Sequence, residues 1–386
     1  LGACFGHHGR RGQAIGDDDG GRLGTEQVAR VTEGMRDWYG PPIALSGVPG
    51  RVFAAKGGDF IGHVDAGQFG SATDRLEDAL RRALRNGRRR YAQWAVRQLV
   101  TANAFPASLS DLIAASGNGK TKRIAWQKVG PTGVIGVTSS LWRVGNQPAA
   151  GGAGSAAPGG RALDRTTTGA VYGLDNVSTD RRILKRAQVL ASVAGQSVLM
   201  YDRLFDVAKT MNSASTESVT GVPTRYQSST TTAEDYAGGN FCFVEVGGTA
   251  LATTAHNWTV CQYRNQAGTD GQSFPSMTGN SGAIVDRLDH PTGSWFMPLA
   301  SGDTGVMDLA QMQCSASVAT GAINFVIGHP LCWIPCPIAN LACDADGIDD
   351  ALVRVFDDAA IAFLEVSKPA TTATTYNGWA SFAHGA

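Results

Sequence analysis

From residue 122 to the C-terminus the chain repeats one pattern, short apolar runs separated by Gly, Asn, Asp and Ser clusters. The runs are 124–129, 133–144, 197–205, 241–247, 258–265, 282–288, 294–300, 312–318, 322–328 and 360–366. Runs this short at this spacing leave no room for amphipathic helices. They read as strands of a sandwich or barrel. Thr179 to Gln196 fits either one more helix or a long strand, and residues 145–170 are a Gly/Ala/Pro-rich loop or linker.

The first 121 residues read differently. Residues 1–24 are Gly-rich, with Arg10 and Arg11 ahead of Asp17 to Asp19, and carry too little apolar surface to fold alone. They read as a flexible arm that is disordered or orders only against a partner. Thr25 caps a short helix to about Tyr39, which Pro41 and Pro42 end, and residues 43–70 suggest a hairpin around Gly57-Gly58. Thr73 to Asn103 is the strongest helix, with Leu76, Leu80, Leu84, Tyr91, Trp94 and Leu99 on its apolar stripe. A second helix, Ser108 to Ala115, follows Pro106. The reading is therefore α+β: arm 1–24, helical basic region 25–121, and β-sandwich-like region 122–386.

Lys+Arg and Asp+Glu balance at 33 each, and the balance hides a split. Residues 1–225 hold 29 basic and 18 acidic side chains, whereas residues 226–386 hold 4 and 15, giving +11 against −11. The basic excess peaks between Asp74 and Arg97, at Arg75, Arg81, Arg82, Arg85, Arg88, Arg89, Arg90 and Arg97. Such a cluster neutralises phosphates without reading sequence, or pairs with an acidic neighbour. DNA contact and subunit contact stand as equal readings of it.

The other motifs carry less chemistry. Gly119-Lys120-Thr121 has Ala114 where a phosphate loop needs glycine, so it reads as a turn between helix and strand. Thr254-Ala255-His256 and Gly279-Asn280-Ser281-Gly282 look like the histidine and serine segments of a chymotrypsin-like protease. They lie too close in sequence for that fold, and only Asp270 falls between them. His329, Cys332, Cys336 and Cys343 supply four zinc-type ligands at a spacing that no standard knuckle uses. Asp344 to Asp350 reads as an acidic turn, because Ala342 and Val353 occupy the positions where a calcium hand needs carboxylates. No catalytic residue, cofactor or metal is expected from these motifs.

Pro330, Pro335 and Pro337 interrupt the most apolar stretch, so no membrane span is expected, and the start lacks the apolar core of a secretory signal. Leu1 in place of Met reads as a start that follows a segment either removed or outside this sequence. Seven scattered cysteines form no disulfide framework, which makes a reducing compartment the default.

Charged residues are only 17% of the chain, and a charge-poor surface suits burial against neighbours. A resemblance points the same way. The segments that carry it are, in chain order, Ser140-Leu141-Trp142 followed by Gln147 to Gly151, then Tyr201 to Leu204, and further on Pro223 to Tyr226, Tyr263 to Thr269 and Pro298 to Val306. Through these, from about residue 107 onward, the chain resembles a group of tailed-bacteriophage virion proteins described as structural. The order of arm, hairpin and long helix is similar to that in the shell protein of tailed phages. The resemblance implies a virion subunit assembled in the host cytoplasm, with copies of itself, other virion proteins and packaged DNA as partners. Capsid is the first expectation. A tail component, a receptor- or carbohydrate-binding sandwich, and a hydrolase built on His256 and Ser281 are the alternatives.

Overall fold

The computed structural model describes residues 43–44, 52–56, 59–63, 109–171, 181–230, 235–346, 353–366 and 371–384. The arm at 1–24, the helix expected at 25–39 and the eight arginines from Arg75 to Arg97 lie outside the described residues. The chain divides into two units, residues 1–121 with 384–386, and residues 122–383.

In the first unit, Ile43–Ala44, Val52–Lys56 and Asp59–His63 form an antiparallel sheet, with Lys56 opposite Asp59. Helix α1 (Leu109–Gly117) ends on a cap in which Asn118 N–H donates to Ala114 O and Lys120 N–H to Ala115 O, both at 2.9 Å. Gly119 takes the left-handed conformation that closes such a cap, with φ +75°. Gly119-Lys120-Thr121 is thus a helix-ending turn that leads into a strand.

The second unit is built on antiparallel sheets. Its principal strands are β1 (Thr121–Val129), β2 (Arg181–Ala191), β3 (Gln196–Thr210), β4 (Phe241–Val246), β5 (Gln262–Asn265) and β6 (Val306–Met312). They continue as β7 (Ala322–Cys336), β8 (Ala342–Asp346), β9 (Arg354–Phe356), β10 (Ile361–Val366) and β11 (Thr375–Ala383). The central sheet runs β4–β7–β3–β10 and ends on Ser139–Ser140. A second runs β8–β2–β11–β1, with β9 also on β2, and a third places β6 and β5 between Glu217–Ser218 and Gln272–Ser273.

The fifteen-residue strands β3 and β7 pair along their whole length, from Gln196 opposite Cys336 to Thr210 opposite Ala322. Leu204 has no partner between Arg203 and Phe205, a bulge that keeps Phe205 and Val207 on the face of Val198 and Met200. That face carries two cores, one at each end. Val198, Met200, Ile334 and Phe363 pack with Trp126, Leu184, Val189, Tyr376 and Phe382 of the second sheet. Phe205, Val207, Val244, Phe325 and Ile327 pack with Tyr263, Val306, Leu309 and Met312 of the third. The opposite face, with Leu199, Tyr201, Phe243 and Val326, is covered by Trp142, Leu163, Ala170 and Leu288 from loops. Each such buried side chain contributes about 1.5–3 kcal/mol relative to exposure.

The strand-rich, sandwich-like reading therefore holds for the described residues, and several of its details change. Of the two alternatives for Thr179 to Gln196, Arg181–Ala191 takes the strand. Of 133–144 only Ser139–Ser140 is a strand; Met312 ends β6, and 282–288, 294–300 and 313–318 are turns and extended loops around the cores. β7 runs through Pro330 and Pro335. Among the described residues it has no partner on the side of β4 beyond Gly328, and Pro330 sits beside a register shift against β3; an edge and an irregularity are settings in which a sheet tolerates proline.

Residues 145–170, read as a loop or linker, run mostly as loop and are pinned in place. Lys128 Nζ, buried, donates to Val144 O at 3.0 Å and Pro148 O at 2.9 Å and pins the start of the loop. Burial lowers the pKa of this lysine to about 8. Gly151 lies flat on the Trp142 indole, where an added Cβ would stand 2.2 Å from the ring. Gly151→Ala is expected to cost about 1–3 kcal/mol in a urea unfolding titration, because the fully buried Trp142 has nowhere to retreat.

Candidate functional site

The segments behind the resemblance fold onto one another in pairs. Trp142 of the first packs on Gly151 of its companion, and its Nε1–H donates to Gly152 O at 3.3 Å. Asp202, from the Tyr201 to Leu204 segment, accepts from Arg225 Nε at 2.9 Å and Nη2 at 2.7 Å, within the Pro223 to Tyr226 segment. Tyr263 OH donates to Asp303 Oδ2 at 2.6 Å and Asn265 Nδ2 to Asp303 Oδ1 at 2.8 Å. Gln266 Oε1 accepts from the N–H of Thr304 and of Gly305. Side-chain bonds thus tie the Tyr201 to Leu204 segment to the Pro223 to Tyr226 segment, and the Tyr263 to Thr269 segment to the Pro298 to Val306 segment.

The middle of the central sheet holds polar clusters on both faces. On the loop-covered face, Arg203 donates to Glu245 Oε1 at 2.5 Å and to Asp206 Oδ2 at 3.1 Å, and all three side chains are fully buried. Arg161 holds the outer side of Asp206 at 2.8 Å, Asn324 Nδ2 donates to Glu245 Oε1 at 3.0 Å, and the Trp142 ring lies 4.8 Å from the guanidinium. Burial works against charge at Arg203 and Glu245, but the opposite charges outweigh it. They raise the Arg203 pKa and lower that of Glu245. On the other face, between the two cores, His329 stacks on Tyr226 at 3.7 Å and 7° and shares a 2.7 Å bond with Asn240 Oδ1. Tyr226 holds a left-handed φ of 51°, fixed by this stack and by its bond to Arg354 O.

His256 and Ser281 do come close in space, yet no Ser–His–Asp relay forms. His256 Nε2 is bonded to Asp289 Oδ2 at 2.8 Å and Nδ1 to Thr254 O at 3.0 Å, so neither ring nitrogen is left for a serine. Ser281 Oγ donates to the same Thr254 O at 3.1 Å. Asp270, the acid that sequence order offered, is exposed and lies 3.5 Å from Arg264. Asp289 is the centre of this cluster. It is fully buried and also accepts from Trp258 Nε1 at 2.9 Å and Asn280 N–H at 2.5 Å.

The zinc-type set is dispersed. Cys332 and Cys336 are buried in the core beneath the second sheet, His329 is stacked on Tyr226, and Cys343 sits in β8. Among the described residues no group of three or more His, Cys, Asp or Glu could hold a metal. Asp344 and Asp346, expected in a turn, belong to β8, where Asp344 pairs with Arg186; residues 347–350 lie outside the described residues. No described helix is long and apolar enough to cross a membrane.

The surface offers one aromatic shelf. Trp295 touches Phe241, Phe296 and Trp333 at ring separations of 5.0, 4.7 and 5.9 Å, and Phe296 and Trp333 are 40% and 42% exposed. Sequence reasoning missed the shelf because Trp295 and Trp333 lie far apart in the chain. It also missed the buried ions, whose one signal is Asp, Arg and Glu set inside otherwise apolar strands. Comparison with protein-family models, with curated proteins and with solved structures finds no match.

Proposed function

We propose that the chain is a structural subunit of a phage virion, of the capsid as shell or capsid-bound protein. The observation that supports this most is the internal pairing of the resemblance segments. Arg225 bonds to Asp202, and Tyr263 and Asn265 bond to Asp303, so these side chains serve the fold by tying the segments to one another. The exposed Phe296 and Trp333, with Ile338 at 57% and Leu341 at 48% exposure, add apolar surface of the kind that subunit contacts cover. The partners are copies of itself and other virion proteins. The Arg75 to Arg97 segment contacts either packaged DNA or the acidic half of a neighbour.

Sedimentation of the full chain, with electron microscopy of the peak fraction, tests the proposal. A large symmetric assembly that weakens as salt rises supports both the subunit role and the charge-split contact, since exposed charges are screened over ~8–10 Å. An assembly indifferent to salt keeps the role and removes the charge mechanism. A monodisperse monomer that also fails to join particles of other virion proteins overturns the proposal.

A further inference from the structure

The dipeptide Asn-Gly occurs twice among the described residues, at Asn118-Gly119 and at Asn377-Gly378. Both asparagines are exposed, so access to water does not separate them. Their backbones do. Asn377 lies inside β11, whose neighbours are β2 and β1, with Asn377 opposite Leu190 and Gly378 opposite Val189. Gln127 Nε2 donates to Asn377 Oδ1 at 2.7 Å, and a Cβ added to Gly378 would run into the Trp126 ring. The sheet thus holds both the side-chain amide and the glycine in place.

Asn118-Gly119 closes helix α1 instead. The N–H groups of Asn118 and Lys120 donate to Ala114 O and Ala115 O at 2.9 Å. Neither the Asn118 side-chain amide nor the Gly119 N–H has a hydrogen bond among the described residues. Gly119 also has open space around it, for an added Cβ would meet nothing within 4 Å. The two cap bonds belong to the end of a nine-residue helix, and helix ends fray first.

We propose that Asn118 is a self-modification site, at which the Gly119 nitrogen attacks the Asn118 side-chain carbonyl. The bond from Gly119 N to Asn118 Cγ forms, the Cγ–NH2 bond breaks, and ammonia leaves with the proton that the Gly119 nitrogen gives up. The product is a cyclic succinimide. Water then opens it at either carbonyl and leaves aspartate or isoaspartate, so one water is consumed for each ammonia released. Glycine admits the attack because no Cβ shields its nitrogen.

The products act on the helix. Either one puts a carboxylate at the C-terminal end of α1, beside the negative pole of the helix dipole, and the last turn carries no basic residue to offset it. Isoaspartate also lengthens the main chain by one carbon inside the cap. Modification therefore loosens the last turn of α1. The site stands independently of the virion reading.

Ageing of the full chain in mildly alkaline buffer, followed by peptide mass spectrometry and isoaspartyl methyltransferase labelling, tests this. The Asn118 peptide should gain one mass unit and a methyl-accepting isoaspartate at least about tenfold faster than the Asn377 peptide, whose strand must open before its glycine nitrogen can move. In strong urea, which removes that difference in backbone freedom, the two rates should come together. Asn118→Gln should abolish the change at its own peptide and leave Asn377 as before. Hydrogen exchange over 109–117 should be faster in aged than in fresh chain, and ageing should not alter it in Asn118→Gln. An Asn118 peptide that stays unmodified, equal rates at the two sites in the folded chain, or a difference that persists in urea overturns the proposal. Modification that leaves exchange over 109–117 unchanged overturns the loosening of the cap.

Discussion

Arg203→Met is expected to lower the stability of the second unit by about 3–5 kcal/mol, the usual cost of leaving a buried charge without its partner. Methionine retains much of the side-chain volume, so the loss reads electrostatics rather than a cavity. Two carboxylates would be affected. Asp206 keeps Arg161, but Glu245 is left with two neutral donors, the Ser140 and Asn324 side chains. The variant should accordingly show a raised Glu245 pKa and a stability loss that shrinks as pH falls and Glu245 takes up a proton. In wild type the sign is the reverse. Arg203 lowers the folded Glu245 pKa, so the stability this contributes is present above the unfolded carboxylate pKa and is lost as pH falls through the folded one. The double variant Arg203→Met, Glu245→Gln removes both charges and should recover part of the loss. Urea unfolding followed by tryptophan fluorescence measures all three. Equal midpoints for wild type and Arg203→Met would show that the network contributes only geometry.

The cost is high because this network sits where the fold has least freedom. The bulge at Leu204 brings Arg203 and Asp206 onto one face of β3, three positions apart, and both face Glu245 across β7. That arrangement explains what could be read from the sequence and what could not. The strands at 197–205, 241–247 and 360–366 were legible because their apolar runs are local signals, and so was the turn at Gly119. The charges inside those runs were visible as Asp202, Arg203 and Glu245, but their partners lie 23 and 42 residues away and follow from topology. Residues 145–170 looked like a linker because glycine and alanine carry no packing signal of their own. Their order comes from Trp142 and Lys128, which lie outside the segment. The His256–Ser281 likeness misled for the complementary reason. The motif gave the right neighbours, but the acid that binds the histidine is Asp289, which lies beyond the serine in the chain.

Asp289→Ala is expected to cost about 3–5 kcal/mol, comparable with Arg203→Met, because three buried donors lose one acceptor group. Oδ2 serves His256 Nε2 and Trp258 Nε1, and Oδ1 serves the Asn280 N–H, so this one carboxylate joins three separate chain segments. Asp289→Asn should cost about 2–3 kcal/mol, since the amide keeps one acceptor but sets an NH2 against a donor. pH separates the charge from the geometry. Burial opposes protonation of His256, but its bond to Asp289 prevails and raises the folded pKa above 6.5. A raised histidine contributes stability that is fully present below 6.5 and is lost as pH rises through the folded pKa. The gap between wild type and Asp289→Asn should therefore be wider near pH 6 than near pH 9. Ser281→Ala supplies the control. The Ser281 residue is exposed and its hydroxyl donates only to Thr254 O, so its loss should shift the unfolding midpoint by no more than about 0.5 kcal/mol. A gap that does not change with pH would mean that His256 is neutral in the fold and that Asp289 acts as a hydrogen-bond acceptor alone. A large Ser281→Ala effect would place the serine, rather than the aspartate, at the centre of the cluster.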